Sequence, residues 1–217
     1  MLKSLYPTVD WESIKSVGFD LDGTLYDEAD FISQVYRPIA NQIAAATGDL
    51  AEDVYHKILQ LWFEKGSSYN RLFADAMSGR QLDEHTINST VNKCLEIFRN
   101  FEPVLRISPR VSEILSYLGS RYEVFLLSDG SSGLQRAKIR SLGLAQWFEE
   151  RNIAISGEHG SAFSKPSIGM LQFIDAVSPT MPTGSIAYFG DRNIDQQFAH
   201  AADFHFVRVF CMVPVSN

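Results

Sequence analysis

The segment Val17-Gly18-Phe19-Asp20-Leu21-Asp22-Gly23-Thr24 sets the strongest constraint on this chain. Its apolar start is what a strand buried on both faces looks like. Two acids then follow, and on an extended backbone such a spacing turns both to one side, roughly 6–7 Å apart. Carboxylates that close stay ionised near neutral pH only beside a cation. A hard divalent ion with oxygen ligands, Mg2+ above all, answers that need. Gly23 permits a tight turn, and Thr24 offers a hydroxyl and a backbone N–H to an anion. Asp-x-Asp-Gly also occurs in plain turns and calcium loops. The EF-hand pattern, however, wants a third oxygen-bearing residue before the glycine, and Leu21-Asp22-Gly23 lacks it.

Two further apolar runs, at 122–128 and 185–191, end in Ser or Gly-Asp and read as buried parallel strands. Weaker strand patterns lie at 152–156 and 204–210. Helical patterns separate them. Residues 108–119 have Ser108 as N-cap, Pro109 at the first helical position, and apolar Val111, Ile114, Leu115 and Leu118 before Gly119. Residues 131–143 and 164–177 read as helices in the same way. Strand alternating with helix predicts an α/β fold with a doubly wound parallel sheet, whose ligand site lies beyond the strands' carboxyl ends.

Residues 28–103 break this alternation. Ile87, Val91, Leu95 and Phe98 make one helical stripe, and 31–43 make another in which Pro38 starts or kinks a helix. The expected organisation is a core of residues 1–27 and 104–217 with an inserted α-helical domain at 28–103. That insertion either only packs or caps the strand ends.

Three more stretches place polar groups at strand ends. Ser128, with the amides of Asp129 and Gly130, could cradle a phosphate at a helix N-terminus, or simply cap the helix. Lys165 precedes Pro166 where a helix should start; a solvated lysine is the plainer reading. Asp191 follows a strand directly with Asp195 four residues on, so a helix there would set both on one face, with Asp191 as metal ligand or N-cap.

Composition narrows the classes further. A net charge of −7 argues against a surface made for nucleic-acid phosphates. Cys94 and Cys211 are too few and too scattered for a disulfide framework or a zinc site. No run has signal-peptide or membrane-spanning length, so a cytoplasmic protein without membrane or nucleic-acid partners is expected.

Taken in order, these motifs resemble the haloacid dehalogenase (HAD) superfamily, specifically its phosphatases with a helical cap. Asp20–Asp27 matches the first motif, Ser128 the second, Lys165 the third, and Asp191 with Asp195 the fourth. The resemblance implies a HAD-like core and hydrolysis of a small phosphorylated metabolite through an aspartyl-phosphate on Asp20. Asp22 would be general acid and base, while Lys165, Thr24, Ser128, Asp129 and Gly130 would hold the phosphate. Mg2+ would sit on Asp20, Asp191 and the Asp22 carbonyl, with Asp195 behind them orienting a metal-bound water or Lys165. The cap would choose the substrate; Tyr26, Tyr36, Arg37, Tyr69, Asn70 and Arg71 could reach a leaving group but read first as packing or surface. A phosphosugar mutase and a catalytically silent metabolite-binding module are the alternative functions; a dehalogenase would not need Asp22. The chain departs from the pattern at Asp129, where Asn usually follows the Ser, and at Asp203, where glycine is usual.

Overall fold

The computed structural model describes residues 2–178, 180–182 and 184–215. In chain order it contains α1 (Leu2–Leu5), β1 (Ser16–Phe19), α2 (Glu28–Thr47), α3 (Ala51–Lys65), α4 (Leu72–Ala76) and α5 (Glu84–Arg99). Then come α6 (Pro109–Gly119), β2 (Glu123–Ser128), α7 (Ser132–Ser141), β3 (Ile153–Ile155), β4 (Ile186–Gly190), α8 (Asn193–Ala201), β5 (His205–Phe210) and β6 (Val213–Pro214). The chain divides into two compact units, Met1–Glu28 with Val104–Asn217, and Ala29–Pro103. Among the described residues no helix is long and apolar enough to cross a membrane.

The first unit is built on a six-stranded sheet in the order β3-β2-β1-β4-β5-β6. The first five strands run parallel, and β6 pairs antiparallel with β5. β1 lies at the centre because every residue in it is buried, as a strand covered on both faces requires. Gly18 has no room for a side chain: the rings of Phe125 and Tyr188 fill the space a Cβ would take. Phe19 stacks on Phe189 at 5.3 Å between centroids, locking β1 to β4. Phe19 is in register with both Leu126 and Phe189, so β1, β2 and β4 end side by side. That alignment brings Asp20, Ser128 and Asp191 to one edge of the sheet.

Around the sheet, α6 follows the sequence closely: Ser108 Oγ accepts from the Val111 N–H at 3.3 Å, and the four predicted apolar residues are buried. The segment 164–177 differs from expectation. It forms a 3-10 stretch at Ile168–Phe173 instead of an α-helix. Gly169 and flanking β-branched Ile168 weaken a helix there. Tertiary bonds then hold the end of the segment in a turn, with Ala176 N–H donating to Asn152 at 2.8 Å and Ser16 Oγ donating to the Ala176 carbonyl at 2.6 Å. Asp203 adopts φ 60° after α8. The Asp203 and Phe204 N–H groups bond back to His200 and Ala199 at 3.2 and 2.8 Å. The usual glycine turn is therefore kept with an aspartate, one of the residues that tolerates that region.

In the second unit, α2 runs unbroken through Pro38, which neither starts nor ends a helix. Burial of Phe31, Ile32, Val35, Tyr36, Ile39, Ala40 and Ile43 on both sides of it outweighs the lost hydrogen bond, a cost of about 3 kcal/mol. The buried face of α5 is rotated from the predicted stripe. Thr90 and Cys94 are fully buried, while Ile87, Val91, Leu95 and Phe98 are partly covered. Phe98 closes on Phe31 edge-on at 5.3 Å.

Candidate active site

Asp20 is the first residue past β1, and its N–H donates to the Phe189 carbonyl at 2.9 Å, which fixes its backbone to β4. Its side chain is buried, at 2% exposure, and bonds to Lys165 Nζ. The same ammonium reaches Asp195 Oδ1 at 2.6 Å. Lys165 is thus a buried amine between two buried carboxylates. Asp129 holds its backbone, accepting from the Lys165 N–H at 3.2 and 3.3 Å.

Asp195 sits in the first turn of α8, where its Oδ2 accepts from the Arg192 N–H at 3.0 Å. Arg192, not Asp191, is the N-cap, so Asp191 is spared for other partners. Its carbonyl accepts from Arg208 at 2.8 Å, and its carboxylate lies against Gly23. Gly23 holds φ 76°.

The charges in this group do not balance. Burial, then the charge of Asp195, pushes Asp20 well above the usual carboxylate range, against Lys165 and Arg192. Burial and Asp195 push Asp191 up to about 7. Burial opposes the charge on Lys165, yet Asp20, Tyr188 and Asp195 outweigh it and keep the amine protonated. One oxygen from each of Asp20, Asp191 and Asp195 lies within 4.8 Å of the others. Asp191 Oδ1 is buried with no hydrogen-bond partner. A buried orphan acceptor beside two more carboxylates suits a hard cation, and an all-oxygen donor set fits Mg2+ or Ca2+ rather than a soft metal.

Asp22 faces different neighbours. Oδ1 accepts from Lys138 Nζ at 2.7 Å and from the Tyr26 hydroxyl, while Oδ2 accepts from Gln135 Nε2 at 2.9 Å. Burial works against its charge, but Lys138 and these hydrogen bonds win, and its pKa falls below the ordinary value. Gln135 Nε2 is also within hydrogen-bond reach of Ser128 Oγ and, at 3.0 Å, of the Asp129 carbonyl, so its two hydrogens are shared among three acceptors. Thr24 Oγ1 is 3.5 Å from Asp20 Oδ2.

The structure therefore gathers Asp20, Lys165, Asp191 and Asp195 into one cluster, with Thr24 beside it, and joins Ser128 to Asp22 through Gln135. It differs from two expectations. The Asp22 carboxylate stands outside the acid cluster, where Gln135 and Lys138 of α7 and Tyr26 are its partners. Asp195 holds Lys165 Nζ, one of the two roles expected of it. Gly130 does not offer a free amide, since its N–H donates to Ser156 Oγ at 3.3 Å, and α7 begins only at Ser132. Gln135, Lys138 and the binding of Tyr26 to Asp22 went unread in the sequence. Their one local trace is two polar residues three apart on the buried side of α7.

The sequence profile of haloacid dehalogenase-like hydrolases matches residues 14–203, most of the chain. The chain belongs to this family. Within it, the chain is 28% identical over 162 residues to the glyceraldehyde 3-phosphate phosphatase of Methanothermobacter thermautotrophicus, covering 73% of this chain and 69% of that one. A HAD-superfamily hydrolase of subfamily IA from Geobacter sulfurreducens superposes with a TM-score of 0.64 at 19% identity, over 90% of this chain and 87% of the other. The 2-haloacid dehalogenase of Pseudomonas syringae gives a TM-score of 0.52 at 21% identity, over 90% and 86%. Such structural likeness shares the fold across different reactions, so the chemistry has to be argued from the side chains.

Proposed function

We propose that this hydrolase is a Mg2+-dependent phosphatase that removes phosphate from a small phosphorylated metabolite through an aspartyl-phosphate on Asp20. The observation that carries the reading is Lys165, buried between Asp20 and Asp195, with Asp191 alongside, whose buried Oδ1 has no hydrogen-bond partner and only the Arg192 guanidinium at 3.9 Å. An amine in that place holds the nucleophile and can take a phosphate oxygen. Asp20 and Asp191, with the Asp22 carbonyl, would hold Mg2+, which when bound offsets the negative charge of the phosphoryl oxygens.

An Asp20 oxygen bonds to phosphorus as the bond to the leaving oxygen breaks, and Asp22 gives that oxygen its proton. The ionised Asp22 of the resting protein can gain this proton because an arriving phosphate dianion disfavours a second negative charge nearby. Water then attacks the aspartyl-phosphate and leaves its proton on Asp22, and Asp20 is freed. Thr24 and Ser128 would donate their hydroxyls to the phosphate as its charge develops.

The inserted unit follows the Asp20–Asp27 loop directly in the chain, which supports reading it as a substrate-selecting cap. It contains a cavity of about 260 Å3 lined in part by Tyr36, Tyr69, Asn70 and Phe73. The name of the archaeal relative favours including triose phosphates among the substrates tried.

The test is phosphate release from a panel of sugar phosphates, triose phosphates, nucleoside monophosphates and phosphoglycolate, with and without Mg2+. Wild type should release phosphate only with the metal, and Asp20→Asn should release none. Undiminished release by Asp20→Asn overturns the nucleophile, and an isomerised sugar phosphate in place of free phosphate would favour a mutase.

A further inference from the structure

We propose that Lys138 and Gln135 are positioning residues that aim one oxygen of Asp22 at the leaving group, fitting the site to alkyl phosphate esters. The proposal rests on the phosphatase reading above and adds the class of leaving group.

A carboxylate has two oxygens, each with two lone pairs. Asp22 Oδ1 accepts from both Lys138 and Tyr26, so its capacity is filled. Oδ2 accepts from Gln135 alone and keeps one lone pair open. Oδ2 is thus the only oxygen of Asp22 free to exchange a proton with substrate, and its direction is set by the three donors. Those donors are anchored. The Lys138 side chain is 4% exposed, and Gln135 and Tyr26 are 1% and 3% exposed. Gln135 is itself tied to Ser128 and to the Asp129 carbonyl on the neighbouring strand end. A surface aspartate would turn about its side-chain bonds; this one cannot without breaking buried hydrogen bonds.

Proton donation contributes about 10²–10⁴-fold where it is used. It is used most where the leaving oxygen is a strongly basic alkoxide, and little where it departs unaided, as p-nitrophenolate does. A device that fixes the proton-carrying oxygen therefore matters for alkyl esters and is nearly idle for aryl ones.

The test compares Lys138→Met and Lys138→Arg with wild type on two substrates in the same protein sample. One is p-nitrophenyl phosphate; the other is the sugar phosphate or phosphoglycolate that wild type hydrolyses fastest. For Lys138→Met, kcat on the alkyl ester should fall about 10–100-fold, the usual cost of losing an orienting partner. On p-nitrophenyl phosphate it should fall much less, and Lys138→Arg should recover part of the alkyl activity. The ratio of the two activities does not depend on the fraction of protein that is folded. An unchanged ratio in Lys138→Met, whether both activities fall or neither does, overturns the positioning role. Failure of wild type on both substrates overturns the phosphatase reading and this proposal with it.

Discussion

Gly23 and Asp191 share one small volume: the place a Cβ on Gly23 would take is filled by the Asp191 carboxylate. The loop after the first strand and the loop after the fourth are fitted together at that point. Gly23 also holds φ 76°, where a side chain is strained whatever its size.

Gly23→Ala should therefore act twice. Left-handed backbone at an alanine costs about 1–2 kcal/mol of stability. Displacement of Asp191 should weaken Mg2+ binding by about 10–100-fold, the scale seen when a ligand's support is lost. A Mg2+ titration followed by thermal unfolding would show both, as a lower starting Tm and a shifted midpoint. A variant that matches wild type in both would show that this contact has no bearing on the metal.

Lys165 is bonded to two buried acids, Asp20 and Asp195. Removing one partner of a buried charge group leaves the rest uncompensated, which costs about 3–5 kcal/mol. Lys165→Ala should be both less stable by that order and slower by about 10²–10³-fold, the loss expected for one preorganised donor. Calorimetry and phosphate release on the same preparation would test the pair of effects. A stable variant would mean that the acids neutralise themselves by taking up protons.

Asp129 puts a negative charge beside Lys165. Asp129→Asn should remove a repulsion felt by phosphate and tighten inhibition by inorganic phosphate by about tenfold, equivalent to about 1.4 kcal/mol. The amide can still accept from the Lys165 N–H, so stability should change little. Weaker inhibition in the variant would contradict the repulsion.

Cys94 is fully buried in α5, and burial pushes its thiol up to about 12 from an ordinary value of 9.0. The folded state holds the proton more tightly than the unfolded chain does. The stability tied to it is complete below pH 9.0 and is lost as pH rises toward about 12, with a slope of about 1.4 kcal/mol per pH unit. Urea unfolding at pH 8 and above should show this alkaline loss, and Cys94→Ala should flatten it. A slope equal in both proteins would assign the loss to other groups, such as Tyr6, which burial also raises to about 12.

The relation between sequence and structure differs from one part of the molecule to another. The runs ending at Phe19, Ser128 and Gly190 were legible as strands because burial on both faces leaves a continuous apolar signature. Parallel pairing of those strands then obliges Asp20, Ser128 and Asp191 to lie side by side. The α6 boundaries were legible too, since Ser108 and Pro109 act locally. Segment 164–177 was misread because its helical period was real while its hydrogen bonds went to Asn152 and Ser16, both distant in sequence. Pro38 is the opposite case, where packing on either side carries α2 through a local helix breaker.

By itself, the chain's order of residues determined where acids and hydroxyls must end apolar strands, and so which chemistry-bearing groups share one edge of the sheet. Only the tertiary structure decided how they are paired: Lys165 with both Asp20 and Asp195, and Asp22 with Gln135 and Lys138 across 113 and 116 positions of sequence. Strand burial repeats along the backbone and leaves a periodic trace. A single hydrogen bond between residues that far apart repeats nowhere, and exists only once the core has closed around it.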